Sequence, residues 1–370
     1  DTGINLLNPG DTPGENAQFL LFLCAVIKAV DEYQDLLRVS VAAAGNDHRL
    51  GALEAPPAVV SMFLGDELTE ILEAIEEDKA LDTKEKELLR IGVHTLPKFP
   101  KDTTDRNRTS PFAFTGNKFE FRMLGSSNTI SNCNVVLNTA VAEALRQFAD
   151  VLENAVDFES ALHDLIKSTI SKHKRIIFNG NGYDDAWLFE AEKRGLLNMK
   201  TTPDALPSLI AEKNIELFTT HKVYSVEELK ARYEILSENY CKIINIEALT
   251  MLDMVNKDIL PAVSAYIREL AGTAITKKSL CADIPCDYET ELVKDLSALQ
   301  SAAFSKKKAL ENYMIEALEC PDNTSLALFS KDKLLSAMTE LRILVDELET
   351  KTHSEFWPYP SYGDILFSVK

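Results

Sequence analysis

The stretch Arg106-Asn-Arg-Thr-Ser-Pro-Phe-Ala-Phe-Thr-Gly-Asn-Lys-Phe-Glu-Phe-Arg122 decides how the rest of the chain is read. Its last five residues, Lys118 to Arg122, alternate charged and aromatic side chains with period two, the pattern of a half-buried β-strand. Phe119 and Phe121 are expected to enter a core, while Lys118, Glu120 and Arg122 line the opposite face. A carboxylate between two cations on rigid backbone suits a phosphate-and-metal site, because glutamate ligates divalent ions and cations neutralise phosphoryl oxygens. A surface ion-pair ladder would show the same alternation. Arg106, Arg108 and the Asn107-Arg-Thr109 turn just upstream favour the site.

Working outward, Leu96-Pro-Lys-Phe-Pro100 reads as extended chain leading into the signature strands. A helix is expected from about Glu15 into the forties, with Phe19, Leu23, Ile27 and Val30 on its apolar face. Gly45-Asn-Asp-His48 is loop-like and delivers Arg49. Pro56-Pro57 suits the start of an amphipathic helix running to about Glu77. The acidic stretch from Glu67 to Glu87 reads as a solvated helical face.

Beyond Asn134 the pattern is largely helical, with two helices broken near Asp157 and a short strand over His173 to Phe178. Ser225-Val-Glu-Glu228 is a capping box, in which serine and glutamate satisfy each other's exposed amides. A long helix follows around Ile246 to Leu270, bent at Pro261 and stopped at Gly272. From Leu292 the positions Leu296, Leu299, Ala303, Leu310, Tyr313 and Ala317 keep a four-three spacing, with Lys306 filling one slot. A third helix spans about Lys331 to Glu349. These three form a bundle for packing, in which Met251, Met254 and Met314 are core fillers. His163, His221 and His353 have no neighbouring set of metal-binding residues.

The fold class is therefore α+β and predominantly helical. The net charge of −19 argues against nucleic acid or an anionic membrane as partner. The apolar run Phe19 to Val30 is too short to span a bilayer. The six cysteines show neither a Cys-x-x-Cys nor a cysteine–histidine zinc spacing, and read as reduced packing residues of a cytoplasmic protein.

Arg106 to Arg122 closely resembles the signature of type III glutamine synthetases. Asn46-Asp-His-Arg-Leu-Gly-Ala-Leu-Glu-Ala-Pro-Pro57 is similar to the flexible loop and substrate-binding turn of those enzymes, and Trp357-Pro-Tyr-Pro-Ser-Tyr-Gly-Asp-Ile-Leu-Phe367 to their carboxyl terminus. The matches fall in family order along the whole chain. The resemblance implies that residues 1–150 are the second half of a catalytic domain, with part of its antiparallel sheet and flanking helices. Residues 151–370 would be a helical carboxyl-terminal region, with a bundle at about 225–350 and a tail, 353–370, returning to the catalytic core. The chain opens at Asp1 in what looks like the interior of a fold. Against the family, the amino-terminal β-grasp domain and the first catalytic half are expected to lie upstream.

The resemblance also implies an activity. ATP phosphorylates the γ-carboxylate of glutamate, and ammonia displaces the phosphate, with Mg²⁺ or Mn²⁺ as cofactor. Arg49 matches the arginine that holds the substrate α-carboxylate, a bidentate task that lysine does poorly. Glu54 matches the flap glutamate that closes the site and helps deprotonate ammonium, although Leu53 stands where type III members have asparagine. Arg108 matches the arginine on the ATP phosphates and the transferring phosphoryl group. A second phosphate-binding arginine of type I members has no counterpart, since Ala113 stands there. Lys118 matches a basic position on the nucleotide, Glu120 a metal ligand, and Arg122 the arginine near the γ-carboxylate and its phosphate. Partners implied are glutamate, ammonium and ATP, with a homo-oligomeric double-ring dodecamer. One ligand, Glu120, is too few for a metal site, so the chain alone is expected to bind Mg²⁺ poorly and to lack activity. A γ-glutamyl ligase using an amine and a non-catalytic helical scaffold are the competing readings; the retained polar face of Lys118, Glu120 and Arg122 weighs against the scaffold.

Overall fold

The computed structural model describes residues 3–52, 55–79 and 109–367, together with the backbone of 88–89 and 99–100. The chain forms two compact units, Asp1–Tyr233 and Glu234–Lys370. The first contains α1 (Ala17–Glu32), α2 (Gln34–Ser40), α3 (Ala44–Arg49), β1 (Met62–Phe63), α4 (Asp66–Glu76) and the short strands β2 (Leu88–Leu89) and β3 (Phe99–Pro100). It continues with β4 (Phe112–Phe114), β5 (Phe119–Phe121), α5 (Ser131–Leu152), α6 (Phe158–His173), α7 (Asp185–Lys193), α8 (Thr202–Ala205) and α9 (Glu212–Thr220). The fold is α+β and predominantly helical.

The helix α1 is apolar on nearly every face, so it can lie only inside the unit. Leu23, Ile27 and Val30 are fully buried, and α1 packs against both α5 and α6. Asn16 caps it by accepting from the Phe19 amide at 3.0 Å. The helix expected to reach the forties breaks at Tyr33, where α2 begins. Asp31, buried on α1, ties in the end of α6: its carboxylate accepts from His173 Nδ1 and from Arg175 Nε, each at 2.8 Å. Helices α6 and α9 thus belong to the same unit as α1 and α5, through contacts of α6 with α1 and of α9 with α5.

The sheet has the order β1-β4-β5. Its β4–β5 pair is antiparallel, with Ala113 opposite Glu120, and β1 adds in parallel, with Met62 opposite Phe112. Thr115 donates to the Lys118 carbonyl at 2.8 Å across a two-residue turn, Gly116-Asn117. Gly116 has φ +94°, the left-handed conformation that the first position of such a turn requires. Phe112 stacks on Phe119 with centroids 4.8 Å apart, and Phe114 meets Phe119 edge-on at 5.2 Å. Phe112 and Phe114 are fully enclosed, whereas Phe119 and Phe121 are only half-buried; the core expected under β5 is formed mainly by β4.

Several local expectations are corrected. Gly45-Asn-Asp-His48 is helical, as part of α3. No helix starts at Pro56-Pro57: Val59 to Met62 are buried, Met62–Phe63 form β1 beside β4, and α4 starts only after Gly65, whose φ is +83°. The acidic stretch is seen as far as residue 79, in α4 to Glu76 and a turn beyond it; the rest of it lies outside the described residues, as do residues 96–98 of the expected extended lead. At 173–178 α6 ends in a 3-10 turn, and the expected strand is reduced to a bridge from Ile177 to Met62, with Phe178 donating to the Met62 carbonyl at 2.8 Å. Phe178 stacks on the buried Trp187 at 3.7 Å.

Across the boundary runs α10 (Val226–Met254), and the second unit adds α11 (Leu260–Leu280), α12 (Asp287–Glu316), α13 (Asn323–Phe329), α14 (Leu335–Lys351) and α15 (Tyr362–Leu366). The capping box forms at the start of α10: Ser225 N donates to Glu228 Oε2 at 2.8 Å, and Glu228 N to Ser225 Oγ at 3.2 Å. A π turn, Val255–Ile259, joins α10 to α11 just before Pro261, which offers no amide to the turn below it. The helix runs on through Gly272 to Leu280. There a Cβ would meet nothing within 4 Å, so Gly272 serves no cap.

The helix α12 packs against α11 and α14 along Leu296, Ala303 and Leu310. Lys306 does not enter this seam; it is exposed and pairs with Glu340 at 2.6 Å, while Lys307 is the buried lysine. Met254 is exposed, and Met251 and Met314 are half-buried, so none is a closed core filler. A second π turn, Ser330–Leu334, precedes α14. In the tail, Phe356 lies against Tyr266 with centroids 5.2 Å apart, and Tyr359 donates to Asp258 at 2.8 Å. Among the described residues no helix is long and apolar enough to cross a membrane.

Candidate active site

The site grows from the junction of α3 with the end of β5. Chain leaving α2 at Val41 turns into α3 through Ala42-Ala-Ala-Gly45 and ends at Arg49. The short helix is held from both sides. Asp47 pairs with Arg38 Nη2 at 2.7 Å and also accepts from the Thr202 amide at 2.6 Å and the Thr202 hydroxyl at 3.0 Å. Arg38 is 1% exposed and further donates to the carbonyls of Met199 at 2.7 Å and Lys200 at 3.1 Å. Burial pushes the Asp47 carboxyl up from its ordinary value, while Arg38 and Thr202 pull it down.

Arg49 then faces the exit of β5. Its Nη2 donates to the Arg122 carbonyl at 3.3 Å, and its Nη1 to the Met123 carbonyl at 3.2 Å and to Asn46 Oδ1 at 3.3 Å. Arg122 reaches along the face of β5 to Glu120, with Nη2 3.0 Å and Nε 3.3 Å from Oε2. The Arg122 side chain is largely enclosed, at 14% exposed, and the Glu120 side chain is open, at 42%. The period-two reading of this strand face is realised in that pair. Lys118 stands at the hairpin turn, exposed, and among the described residues its ammonium has no ion-pair partner.

The structure thus brings together Arg49, Glu120 and Arg122 and sets Lys118 at the end of the same hairpin. Glu54, Leu53 and Arg108 lie outside the described residues. Divalent ions such as Mg²⁺ take about six oxygen ligands. Among the described residues no group of three or more His, Cys, Asp or Glu converges to hold a metal, so Glu120 alone does not make such a site. The histidines have other partners: His163 lies by Asp78 at 3.3 Å, His221 bonds Glu143 at 2.8 Å, and His353 packs on Tyr266. Glu143 also takes two bonds from Arg146, at 2.9 and 2.7 Å, and one from Gln147 at 2.7 Å; Arg146 above all holds its carboxyl down at about 2.

Asn46 and Asp47 were not singled out by the sequence reading, although both sit inside the motif that it quoted. Their signal was weak: a polar pair after three alanines and a glycine reads as a turn, and only the buried partners of each show otherwise.

Comparison with known proteins bears on the whole chain. Residues 161–278 match the family described as the glutamine synthetase C-terminal domain. The chain is 44% identical to a glutamine synthetase of Butyrivibrio fibrisolvens over all of its own length and 53% of that protein. It is 41% identical to the type-3 glutamine synthetase of Dictyostelium discoideum, over 99% of this chain and 51% of the relative. A glutamine synthetase of Bacteroides fragilis is 35% identical over 100% of this chain and 52% of its own length. The chain spans about half the length of these curated relatives. The likeness to glutamine synthetases, a type-3 enzyme among them, thus runs from end to end of this chain.

Proposed function

We propose that the chain supplies part of the active site for ATP-dependent ligation of ammonia to glutamate, through γ-glutamyl phosphate. The observation that carries this reading is the joint between Arg49 and Arg122, with Glu120 gripped on the same strand face. Two guanidinium groups carried on segments joined by that bond suit a substrate with a carboxylate at each end, since each can take a carboxylate or phosphate bidentately. In this reading Arg49 holds the α-carboxylate, and Arg122 holds the γ-carboxylate and then its phosphate. Glu120 serves as one carboxylate ligand of Mg²⁺ or Mn²⁺, the other ligands coming from elsewhere in the protein. Arg108 and Lys118 contact the nucleotide, and Glu54 closes the pocket and attracts ammonium.

When bound, the ion would offset charge on the transferring phosphoryl group. What the described residues do themselves is bind and orient. Residues 1–370 alone hold too few of these groups and are expected to form no glutamine. A cytoplasmic setting and a homo-oligomer belong to the same reading.

The test is ammonia-dependent phosphate release by the full-length gene product with glutamate, ammonium, ATP and Mg²⁺, beside Glu120→Ala. Release that falls at least about a hundredfold in the variant supports the reading, since a lost ion contact is worth several kcal/mol. Silence with ammonium but turnover with an alkylamine would move the assignment to an amine ligase. Silence with both would refute a ligase.

A further inference from the structure

Asn46 is 2% exposed, and both polar atoms of its amide are engaged. Its Nδ2 donates to the carbonyls of Val41 at 2.8 Å and Met123 at 2.9 Å, and its Oδ1 accepts from Arg49 Nη1 at 3.3 Å. These partners belong to three pieces of chain: the end of α2, the residue after Arg122, and the end of α3. The Val41 carbonyl lies at the C-terminus of α2, where helical carbonyls lack internal donors. It takes a second bond from Asn128 Nδ2 at 3.3 Å. Gly125 lies directly against the amide: a Cβ there would stand 3.0 Å from Asn46 Oδ1 and 3.2 Å from its Cγ.

Guanidinium carries five N–H donors in a rigid fork. Arg49 spends three on Asn46, Met123 and Arg122, which leaves Nε–H and one Nη2–H with no acceptor among the described residues. Two donors are what a carboxylate accepts in a bidentate pair. With its other donors pinned to the Asn46 amide and to the Met123 and Arg122 carbonyls, the arginine presents these two in one fixed direction, so less side-chain entropy is lost when a ligand binds.

From this geometry we infer that Asn46 is a positioning residue for the substrate carboxylate. It acts through Arg49, locking that side chain to the strand that bears Arg122, and Gly125 is the residue that leaves room for it. The inference rests on the ligase reading above.

The experiment compares Gly125→Ala and Asn46→Ala with wild type in the full-length protein, varying glutamate and ATP separately and following thermal unfolding alongside. Gly125→Ala displaces the amide by only a few tenths of an ångström, so it is expected to fold. Its KM for glutamate should rise about tenfold, as small misplacements of a binding group commonly cost that much or more. Its KM for ATP should stay within about twofold, with kcat and unfolding temperature close to wild type. Asn46→Ala should raise the glutamate KM further and also lower stability, because two carbonyls each lose the shorter of their two side-chain donors. An active enzyme whose glutamate KM is unmoved by Gly125→Ala overturns the positioning role while the ligase reading stands. So does a parallel rise in both KM values that tracks lost stability, since a merely structural residue would give that result. A wild type without glutamate-dependent turnover overturns the ligase reading and this inference together.

Discussion

Removing the Asp47 carboxylate should be among the costliest single changes in the first unit. Asp47→Ala deletes three close bonds, from Arg38 Nη2 and from the amide and hydroxyl of Thr202. Bonds to a charged group are worth about 1.5 kcal/mol or more each, so the gross loss is on the order of 4–5 kcal/mol. Part of this returns, because the buried carboxylate itself carries a desolvation cost, seen in the upward push on its titration. Arg38, 1% exposed, then keeps only the Met199 and Lys200 carbonyls, and its Nη1 already lacks a partner among the described residues. The net expectation is a destabilisation of about 3 kcal/mol, at the low end of what breaking a buried pair costs.

The assay is urea unfolding followed by tryptophan fluorescence. The chain has two tryptophans, so a Trp357→Phe background leaves the buried Trp187 to report on the first unit. The control is Asp150→Ala, which breaks an exposed pair with Arg146 in the same unit and should cost under about 0.5 kcal/mol. An Asp47→Ala shift as small as that of the control, in the same background, would refute the reasoning from burial.

Two further outcomes are expected. The Glu143 carboxyl titrates at about 2 in the folded protein, against an ordinary 4.5, so its stabilising contribution is complete above pH 4.5 and fades as pH falls toward 2. Allowing for solvent around the half-exposed Arg146, that contribution is about 2 kcal/mol, and Glu143→Gln should flatten the acid limb of a plot of urea midpoint against pH. Gly182→Ala places a Cβ 2.3 Å from the Thr109 carbonyl oxygen, so backbone on one side has to move; a loss of about 1–3 kcal/mol is expected in the Trp187-reported unfolding, and an unchanged midpoint would contradict the close approach.

What could be seen in the sequence depended on how strongly each pattern was written. The β5 strand was legible because bulky aromatics carry its period, and α1 because apolar residues dominate it. Arg49, Glu120 and Arg122 stood out through the motifs that hold them, and they lie at one junction of the fold; their roles are those proposed above. The α3 helix was not: Gly45, Asn46 and Asp47 all disfavour helix on their own, and tertiary partners such as Arg38 and Thr202 override that preference. The two-residue strand β1 was hidden behind Pro56-Pro57, since so short a strand is defined by its neighbour β4 rather than by any period of its own. Gly272 was misread as a stop because an exposed glycine inside a long helix costs only about 1 kcal/mol, which a packed bundle absorbs. The role of Asn46 had no signal that composition or spacing could supply, because it exists only where two nearby groups, on Val41 and Arg49, meet the carbonyl of Met123, 77 residues away.

The hairpin turn at Gly116-Asn117 has a consequence for the order in which the molecule assembles. β4 and β5 are neighbours along the chain, so their pairing needs little loop closure and can form within about 1–10 μs of the segment collapsing. Arg49 meets the Arg122 carbonyl across 73 residues, a contact that waits for a much longer loop to close. On these loop lengths the hairpin that bears Glu120 is expected to pair before Arg49 docks beside it. A slip in the hairpin register would be copied into the site, whereas a late or failed docking of α3 would leave the strand intact and ready for another attempt.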